Sequence, residues 1–317
     1  MRLGFIFSLP RAGSTYVQRV LSASDQVRTV PEPWLLPALL GIREGEAPLA
    51  DFAYDHVRIG LNELLSLCDD GEEAWRDAVA AMATSLYGNF SKMEDCIFID
   101  KTPRNAAFCS SIMKSFPDAK FLFLWRNPLA VVSSINATWG RGKWKAYLYH
   151  YDLIKGLKEM VQAARLSADN PQCMFIKYED LVSDPEHWWP RVFAHFDVKY
   201  APEAVRHPPR LEGRFGDPTG QTKYNTTTKD SRDSWTKGFG GVARRYWAIR
   251  YLRNIGDARL AVMGYSSAEI IGTLSRRGHW RLSDLLYIPL TPLYHWIEPY
   301  SLRSKSGRFG RKRFARR

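Results

Sequence analysis

Between an apolar run and an amphipathic one, the chain carries Pro10-Arg11-Ala12-Gly13-Ser14-Thr15. A turn that feeds a helix aims several backbone N–H groups at one spot, and the helix dipole adds partial positive charge there. Gly13 permits close approach, Ser14 and Thr15 add hydroxyl donors, and Arg11 adds a full charge. Such a set suits a phosphate or sulfate group. A plain β-to-α connection with Ser-Thr as a helix cap reads the same residues without a ligand. A nucleoside-triphosphate loop fits less well: Ser14 stands where that motif has lysine, Ser8 where it has its first glycine, and Asp100 is the only candidate for a magnesium-binding aspartate.

Four other short segments carry charge after an apolar run. They are Pro31-Glu32-Pro33, Asp100-Lys101-Thr102-Pro103-Arg104-Asn105, Arg126-Asn127-Pro128 and Tyr178-Glu179-Asp180. With the first turn, they supply cations three times and carboxylates twice, more charge than generic turns need. Glu32, Lys101, Arg126 and Tyr178 thereby join Arg11 as candidate site residues. Asn127-Pro128 is also a good helix start in its own right.

The elements that must hold these turns follow from periodicity. Leu3–Leu9, Val27–Val30, Cys96–Asp100, Lys120–Trp125 and Cys173–Tyr178 read as short buried strands, apolar on both faces. Helical spacing covers Tyr16 to about Ser24, Leu61–Tyr87 with a break at Gly71, the segment after Pro128 to about Thr138, and one long helix from Trp144 to Leu166. Strands alternating with helices predict an α/β fold, a three-layer parallel sheet flanked by helices. Ligands of such sheets sit at the carboxyl ends of the strands, where the charged turns fall. Residues 207–245, rich in Gly, Pro, Thr and charge, read as a long loop or lid, and Arg244–Gly256 with Asp257–Tyr265 as a closing helical unit. We expect a catalytic unit over 1–272 and an aromatic, proline-broken, basic appendage over 273–317, whose Trp280, Tyr287, Tyr294 and Trp296 pack on the domain or lie at a membrane interface.

With 317 residues and 45% hydrophobic content, the chain can bury a core without disulfides. Its four cysteines, Cys68, Cys96, Cys109 and Cys173, lack CxxC spacing and read as reduced, and its seven histidines form no HxH or HExxH pair. No metal site is expected. The net charge of +12 is uneven: residues 301–317 carry eight cations and no acid, leaving the body mildly basic. That tail could touch anionic membrane or an acidic polymer, or serve only solubility; nucleic acid is not the expected partner. No apolar window reaches the ~18 residues of a membrane span, and the first core strand begins by Leu3 with no leader before it. The expected location is cytoplasmic, possible contact of the tail with the inner face of the membrane aside.

The two turns at Pro10–Thr15 and Arg126–Pro128, in that order and each after a strand, resemble the sulfotransferase superfamily that uses 3′-phosphoadenosine 5′-phosphosulfate (PAPS). The first is similar to that superfamily's 5′-phosphosulfate loop, and "WRNPLAVVSSI", with Ser134 eight residues after Arg126, to its 3′-phosphate motif. "DKTPRN" and "YEDLVSDPE" recur there too, and the likeness covers about residues 1–265. The style is closer to tyrosylprotein-type and carbohydrate sulfotransferases than to the cytosolic small-molecule group, which usually carries lysine at the Arg11 position and a histidine base.

The resemblance implies a P-loop-like fold, a PAPS donor leaving PAP (3′-phosphoadenosine 5′-phosphate), and no metal. It assigns donor binding to Arg11, Ala12, Gly13, Ser14, Thr15, Tyr16, Arg126, Ser134, Tyr178 (on the adenine side) and Lys237, the last closing from the late loop. Sulfuryl transfer is an in-line displacement, much like phosphoryl transfer. Arg11 and Lys101 are the expected cations beside the leaving oxygen. Glu32, after the second strand and between two prolines, is the expected base. The acceptor is a hydroxyl compound, expected to be a carbohydrate such as a bacterial envelope glycan or glycolipid. Trp34, Trp139, Trp144, Tyr147 and Tyr151 are candidate stacking faces, or else core; Arg141, Lys143 and Lys145 would meet an anionic acceptor or face water. A phosphate-loop kinase and a non-catalytic protein binding through the basic tail are the alternatives.

Overall fold

A computed structural model of the chain describes residues 1–44, 54–91, 95–211 and 234–274. Five strands form one parallel sheet: β1 (Arg2–Ser8), β2 (Val27–Arg28), β3 (Ile97–Asp100), β4 (Lys120–Trp125) and β5 (Cys173–Lys177). Their order across the sheet is β2-β3-β1-β4-β5. Phe5 of β1 stands opposite Asp100 on one side and Phe121 on the other, so the carboxyl ends share one edge. Along the chain, β3 returns beside β1 and β4 then crosses to β1's far side. The crevice of this topology therefore opens at the end of β1.

The strands alternate within their apolar runs. Phe5, Phe7, Phe98, Phe121, Phe123 and Trp125 point to one face; Ile6, Ile97, Ile99, Leu122 and Leu124 point to the other. The aromatic face is a ladder, with Phe5 and Phe7 each 5.7 Å from Phe121 and Phe123 at 5.0 Å from Phe175. The aliphatic face receives α1 (Ser14–Leu21) through Val17, Val20 and Leu21, together with Trp189 and Phe193. Helices lie over both faces, as a parallel sheet requires.

The remaining helices are α2 (Leu35–Glu44), α3 (Tyr54–Ser66), α4 (Gly71–Ser91), α5 (Cys109–Ser115), α6 (Pro128–Thr138), α7 (Leu157–Leu166), α8 (Tyr178–Ser183), α9 (Pro185–His195), α10 (Pro202–Arg206) and α11 (Val242–Ile255), followed by two short closing helices. The five strands and the break at Gly71 match the expectation within a residue or two; the closing unit is present, its Asp257 helix ending at Val262 rather than Tyr265. The long helix expected over Trp144–Leu166 is instead three pieces: a 3-10 turn Ala146–Tyr149, a π-helical turn Tyr151–Gly156, and then α7. The late loop contributes a 3-10 turn, Ser234–Phe239, which packs on α6. Its centre and nearly all of the expected appendage, including the basic tail, lie outside the described residues. Among the described residues, no helix is long and apolar enough to cross a membrane.

Candidate active site

The chain leaves β1 into a turn whose pivot is Gly13, at φ +98°. Gly13, not a hydroxyl residue, occupies the cap position of α1, and no side chain caps that helix. The Ser14 and Thr15 hydroxyls are therefore not spent on the first-turn N–H groups that a helix leaves unpaired. A Cβ on Gly13 would lie 2.4 Å from Cδ2 of Tyr178, so only glycine lets the β5-end tyrosine close on the turn. Arg11 also has a positive φ, 67°, and its Nε donates to Ser134 Oγ at 3.3 Å. Its guanidinium lies 5.6 Å from the Trp139 ring centroid. Ala12 is buried beneath the turn. Tyr16 is turned away from it: the hydroxyl donates to the Val205 carbonyl at 2.9 Å and the ring packs edge-on against Trp189.

A second anchorage comes from the end of β4. Arg126 Nη1 donates to the Arg11 carbonyl at 2.8 Å, and its guanidinium sits 4.6 Å over the Tyr178 ring. Asn127 caps α6 by accepting from the Leu129 N–H at 2.9 Å, with Pro128 in the first turn. Ser134, two turns along α6, reaches Arg11. The two turns, 115 residues apart, thus meet through two hydrogen bonds around Arg11. Glu179 steadies the second turn, accepting from the Asn127 N–H at 3.1 Å and from the Tyr265 hydroxyl at 2.6 Å. Tyr178 is buried between Gly13 and Arg126, a buttress for both turns rather than an open face. Lys237 is exposed on the 3-10 turn that packs on α6, where a Cβ on Gly238 would meet Ser133 Oγ at 2.4 Å.

The carboxylate between the prolines meets the cation after β3. Lys101, only 1% exposed, donates from Nζ to Glu32 Oε1 at 2.9 Å and to Thr15 Oγ1 at 3.4 Å. A buried ammonium needs such partners. Glu32 Oε2 accepts from the Trp34 indole at 3.3 Å. The flanking prolines do not set the backbone as expected: Glu32 has φ +55°, a conformation that a residue before proline disfavours, and Trp34, after Pro33, has φ +57°. Asp100 is fully buried and accepts from Tyr87 at 2.8 Å and Thr102 at 2.9 Å. Burial raises its pKa against those hydrogen bonds. It holds the turn that carries Lys101. No group of three or more His, Cys, Asp or Glu able to hold a metal occurs among the described residues.

Part of this set lines a cavity of about 210 Å³, whose walls are Arg11, Gly13, Ser14, Thr15, Glu32, Trp34, Arg104, Trp139, Tyr149 and Asp152, with Pro10 and Pro103; Lys101, Arg126 and Ser134 stand behind it and are not among its lining residues. Of the aromatics expected beside the site, Trp34 and Trp139 line it. Trp144 does not: it is 1% exposed and packed edge-on to Trp247 in the core. Tyr147 also packs against the core, and Tyr151 lies 4.6 Å beneath the Arg104 guanidinium. Arg141 and Lys143 are exposed, on a loop whose Gly142 carbonyl accepts from buried Arg244 at 3.0 Å.

A model of the sulfotransferase family matches residues 5–202. The chain belongs to the sulfotransferase family. It is 26% identical over 219 residues to a protein-tyrosine sulfotransferase of Drosophila melanogaster, covering 65% of this chain and 40% of that protein. It is 27% identical over 140 residues to nodulation protein NoeE of Sinorhizobium fredii, covering 43% of this chain and 31% of that one. Both matches span less than half of the relative's length. Among solved structures, the sulfotransferase domain of the Synechococcus PCC 7002 olefin synthase is similar at a TM-score of 0.48 and 22% identity, over 74% of this chain and 87% of that one.

Three cavity residues of this sulfotransferase-family chain are not among the residues that the sequence singles out. Arg104 belongs to the same "DKTPRN" turn as Lys101, three residues further on. Tyr149 and Asp152 lie in the stretch taken for one helix. Asp152 is 4% exposed, and an acid on an otherwise apolar stripe with Leu153, Gly156 and Leu157 was the available signal. Burial pushes the Tyr149 hydroxyl up to about 12, with Asp152 adding to the shift and Arg11 opposing it. Tyr149 thus keeps its hydroxyl protonated in the cavity wall at neutral pH.

Proposed function

We propose that this sulfotransferase moves a sulfuryl group from PAPS to an acceptor hydroxyl, with residues 1–272 as the catalytic unit. The observation that carries the reading is the meeting of Arg126, Ser134 and Arg11 at 2.8 and 3.3 Å, which makes one anion cradle from two distant turns. The donor set fits a doubly phosphorylated adenosine: two guanidiniums, three hydroxyls and a helix N-terminus on one side, a buried ammonium on the other. When bound, PAPS supplies an activated sulfuryl group whose departure leaves the 5′-phosphate of PAP.

The chain's residues then divide the work. Arg126 and Ser134 grip the 3′-phosphate, with Lys237 closing over the nucleotide. The Arg11 fork, the Ser14 and Thr15 hydroxyls and the N-terminus of α1 take the 5′ end. Arg11 and Lys101 oppose the negative charge that builds on the departing oxygen, in a site poor in water. Glu32 takes the proton of the acceptor hydroxyl as the new sulfur–oxygen bond forms, and Lys101 holds its carboxylate in place. The acceptor is read as a carbohydrate, an envelope glycan or glycolipid, whose ring lies against Trp34, Trp139 and Tyr149. A cytoplasmic location accompanies this reading.

Thermal unfolding of the full chain with PAP and with magnesium-ATP tests the donor. PAP at 100 times its dissociation constant should add about 2.7 kcal/mol of stability. Equal or greater stabilisation by magnesium-ATP would turn the reading toward a kinase.

A further inference from the structure

We propose that Arg104 and Asp152 form the acceptor subsite of this cavity and select a sugar that carries free hydroxyls beside the one sulfated; the proposal rests on the sulfotransferase reading above. The pair joins two elements that the donor cradle does not use. Arg104 enters from the 3-10 turn Pro103–Phe108, directly after Lys101 and Thr102. Asp152 enters from the π-helical turn Tyr151–Gly156. Arg104 Nη2 donates to Asp152 Oδ2 at 3.1 Å, and Nε lies 2.9 Å from Oδ1 as an ion-pair contact outside hydrogen-bond alignment. The Tyr151 ring, 4.6 Å from the guanidinium carbon, covers one face of the fork. Both residues line the same cavity as Glu32, Arg11 and Thr15.

A structural tie between two turns does not need this geometry. An ion pair is costly to bury and is often replaceable by apolar packing. Here it stands in the wall of an aromatic-lined cavity, on a π turn, a feature that interrupts regular helix and recurs at functional sites. The pairing also leaves capacity. Each carboxylate oxygen can accept a further hydrogen bond, and the guanidinium keeps three further N–H donors. A vicinal diol fits this remainder: one hydroxyl donates to Asp152 while its neighbour accepts from Arg104. The apolar C–H face of the same ring would lie on the Trp34, Trp139 and Tyr149 side, and a third hydroxyl would reach Glu32.

A phenolic acceptor fits poorly. It has one hydroxyl, which must go to Glu32, and its ring would strip water from Arg104 and Asp152 without replacing those bonds. Polar groups left unpaired in this way reject a ligand strongly.

The test uses the full chain with PAPS, four methyl glycosides (β-glucoside, β-galactoside, α-mannoside, α-fucoside) and N-acetyl-tyrosinamide as acceptors. We expect wild-type protein to sulfate at least one glycoside with a kcat/KM at least tenfold above that of the tyrosine compound. Asp152→Asn should raise the glycoside KM at least tenfold, with kcat within threefold and the PAP dissociation constant within twofold of wild type. Because one unpaired buried charge can unfold a protein, the neutral double variant Arg104→Gln/Asp152→Asn is the second arm, with the same expected shift. A preference for the tyrosine compound overturns the proposal, as does a glycoside KM that stays put in both variants. PAP binding by wild type separates these outcomes from a failure of the sulfotransferase reading, which would remove both.

Discussion

Replacing Gly13 by alanine tests the joint between the two anion-binding turns. At φ +98° an L-residue carries a backbone cost of about 1–2 kcal/mol. The new methyl would stand 2.4 and 2.6 Å from Cδ2 and Cε2 of Tyr178, so ring or turn must move by about 1 Å to restore van der Waals contact. Tyr178 cannot yield freely, because its ring also supports Arg126 at 4.6 Å. Overpacking of this kind costs about 1–3 kcal/mol, giving about 2–5 kcal/mol in all. Arg126 should move with the ring and lose its aim, which weakens PAP binding by about 1.5–3 kcal/mol, the value of a charged hydrogen bond. Urea unfolding reads the first effect and calorimetric titration of PAP the second. Gly142→Ala is the control: its φ is +81°, yet a Cβ there meets nothing within 4 Å, so it carries the backbone cost alone. If Gly13→Ala proves no more harmful than Gly142→Ala, the wedge between Gly13 and Tyr178 is wrong.

Three further outcomes are expected. Glu32→Gln should cut turnover ~10²–10⁴-fold while PAP still binds, since it removes a base and not a phosphate ligand; near-normal turnover would strip Glu32 of that role. Arg126→Ala should cost about 1.5–3 kcal/mol in PAP affinity, and an unchanged dissociation constant would remove it from the donor site. His195 bears on stability away from the site. Burial, with Lys120 nearby, lowers its pKa to about 4, against the pull of the Phe121 carbonyl and Asp197. The unfolded chain therefore binds a proton near pH 6.5 that the folded chain refuses. Stability from this group is full above about pH 6.5 and falls as the pH drops toward 4, by up to about 3 kcal/mol. His195→Gln should flatten that slope in urea titrations between pH 7 and 4.5; an unaltered slope would show that other groups cause it.

The sheet was legible because its strands are short apolar runs that end in charge. What the runs conceal is which face each residue takes: in Phe5-Ile6-Phe7 and Phe121-Leu122-Phe123, every position is apolar, and only aromatic against aliphatic shape separates the two sides. The charged turns at Pro10–Thr15 and Arg126–Pro128 were legible for the same reason as the sheet, since each follows a strand directly. The segment over 144–166 was not. Changing a helix from 3-10 to π to α rotates side chains about the axis without changing composition, so Tyr149 and Asp152 entered the cavity by a rotation that periodicity could not register. Gly13 was read as room for a ligand; the ring that fills its missing Cβ belongs to a residue 165 positions away and is known only from packing.

Arg11 and Glu32 share one further property. Both are non-glycine residues with positive φ, at 67° and 55°, a conformation that costs on the order of 1–3 kcal/mol where the surroundings impose it. In each case the surroundings can be named. Arg11 is held by Ser134 on its side chain and Arg126 on its carbonyl; Glu32 is held by Lys101 and the Trp34 indole. The holding groups are themselves candidate site residues, so the proposed anion cradle and the proposed base are each braced by their own contacts before any ligand arrives. Such bracing moves the ordering cost from binding to folding, and an attacking oxygen needs its base and cations already in position. The strain then has a directional consequence. Loosening the contacts at Ser134 or Trp34 should relax the backbone and blunt the chemistry together, whereas an incidental strain would gain stability with no loss of turnover.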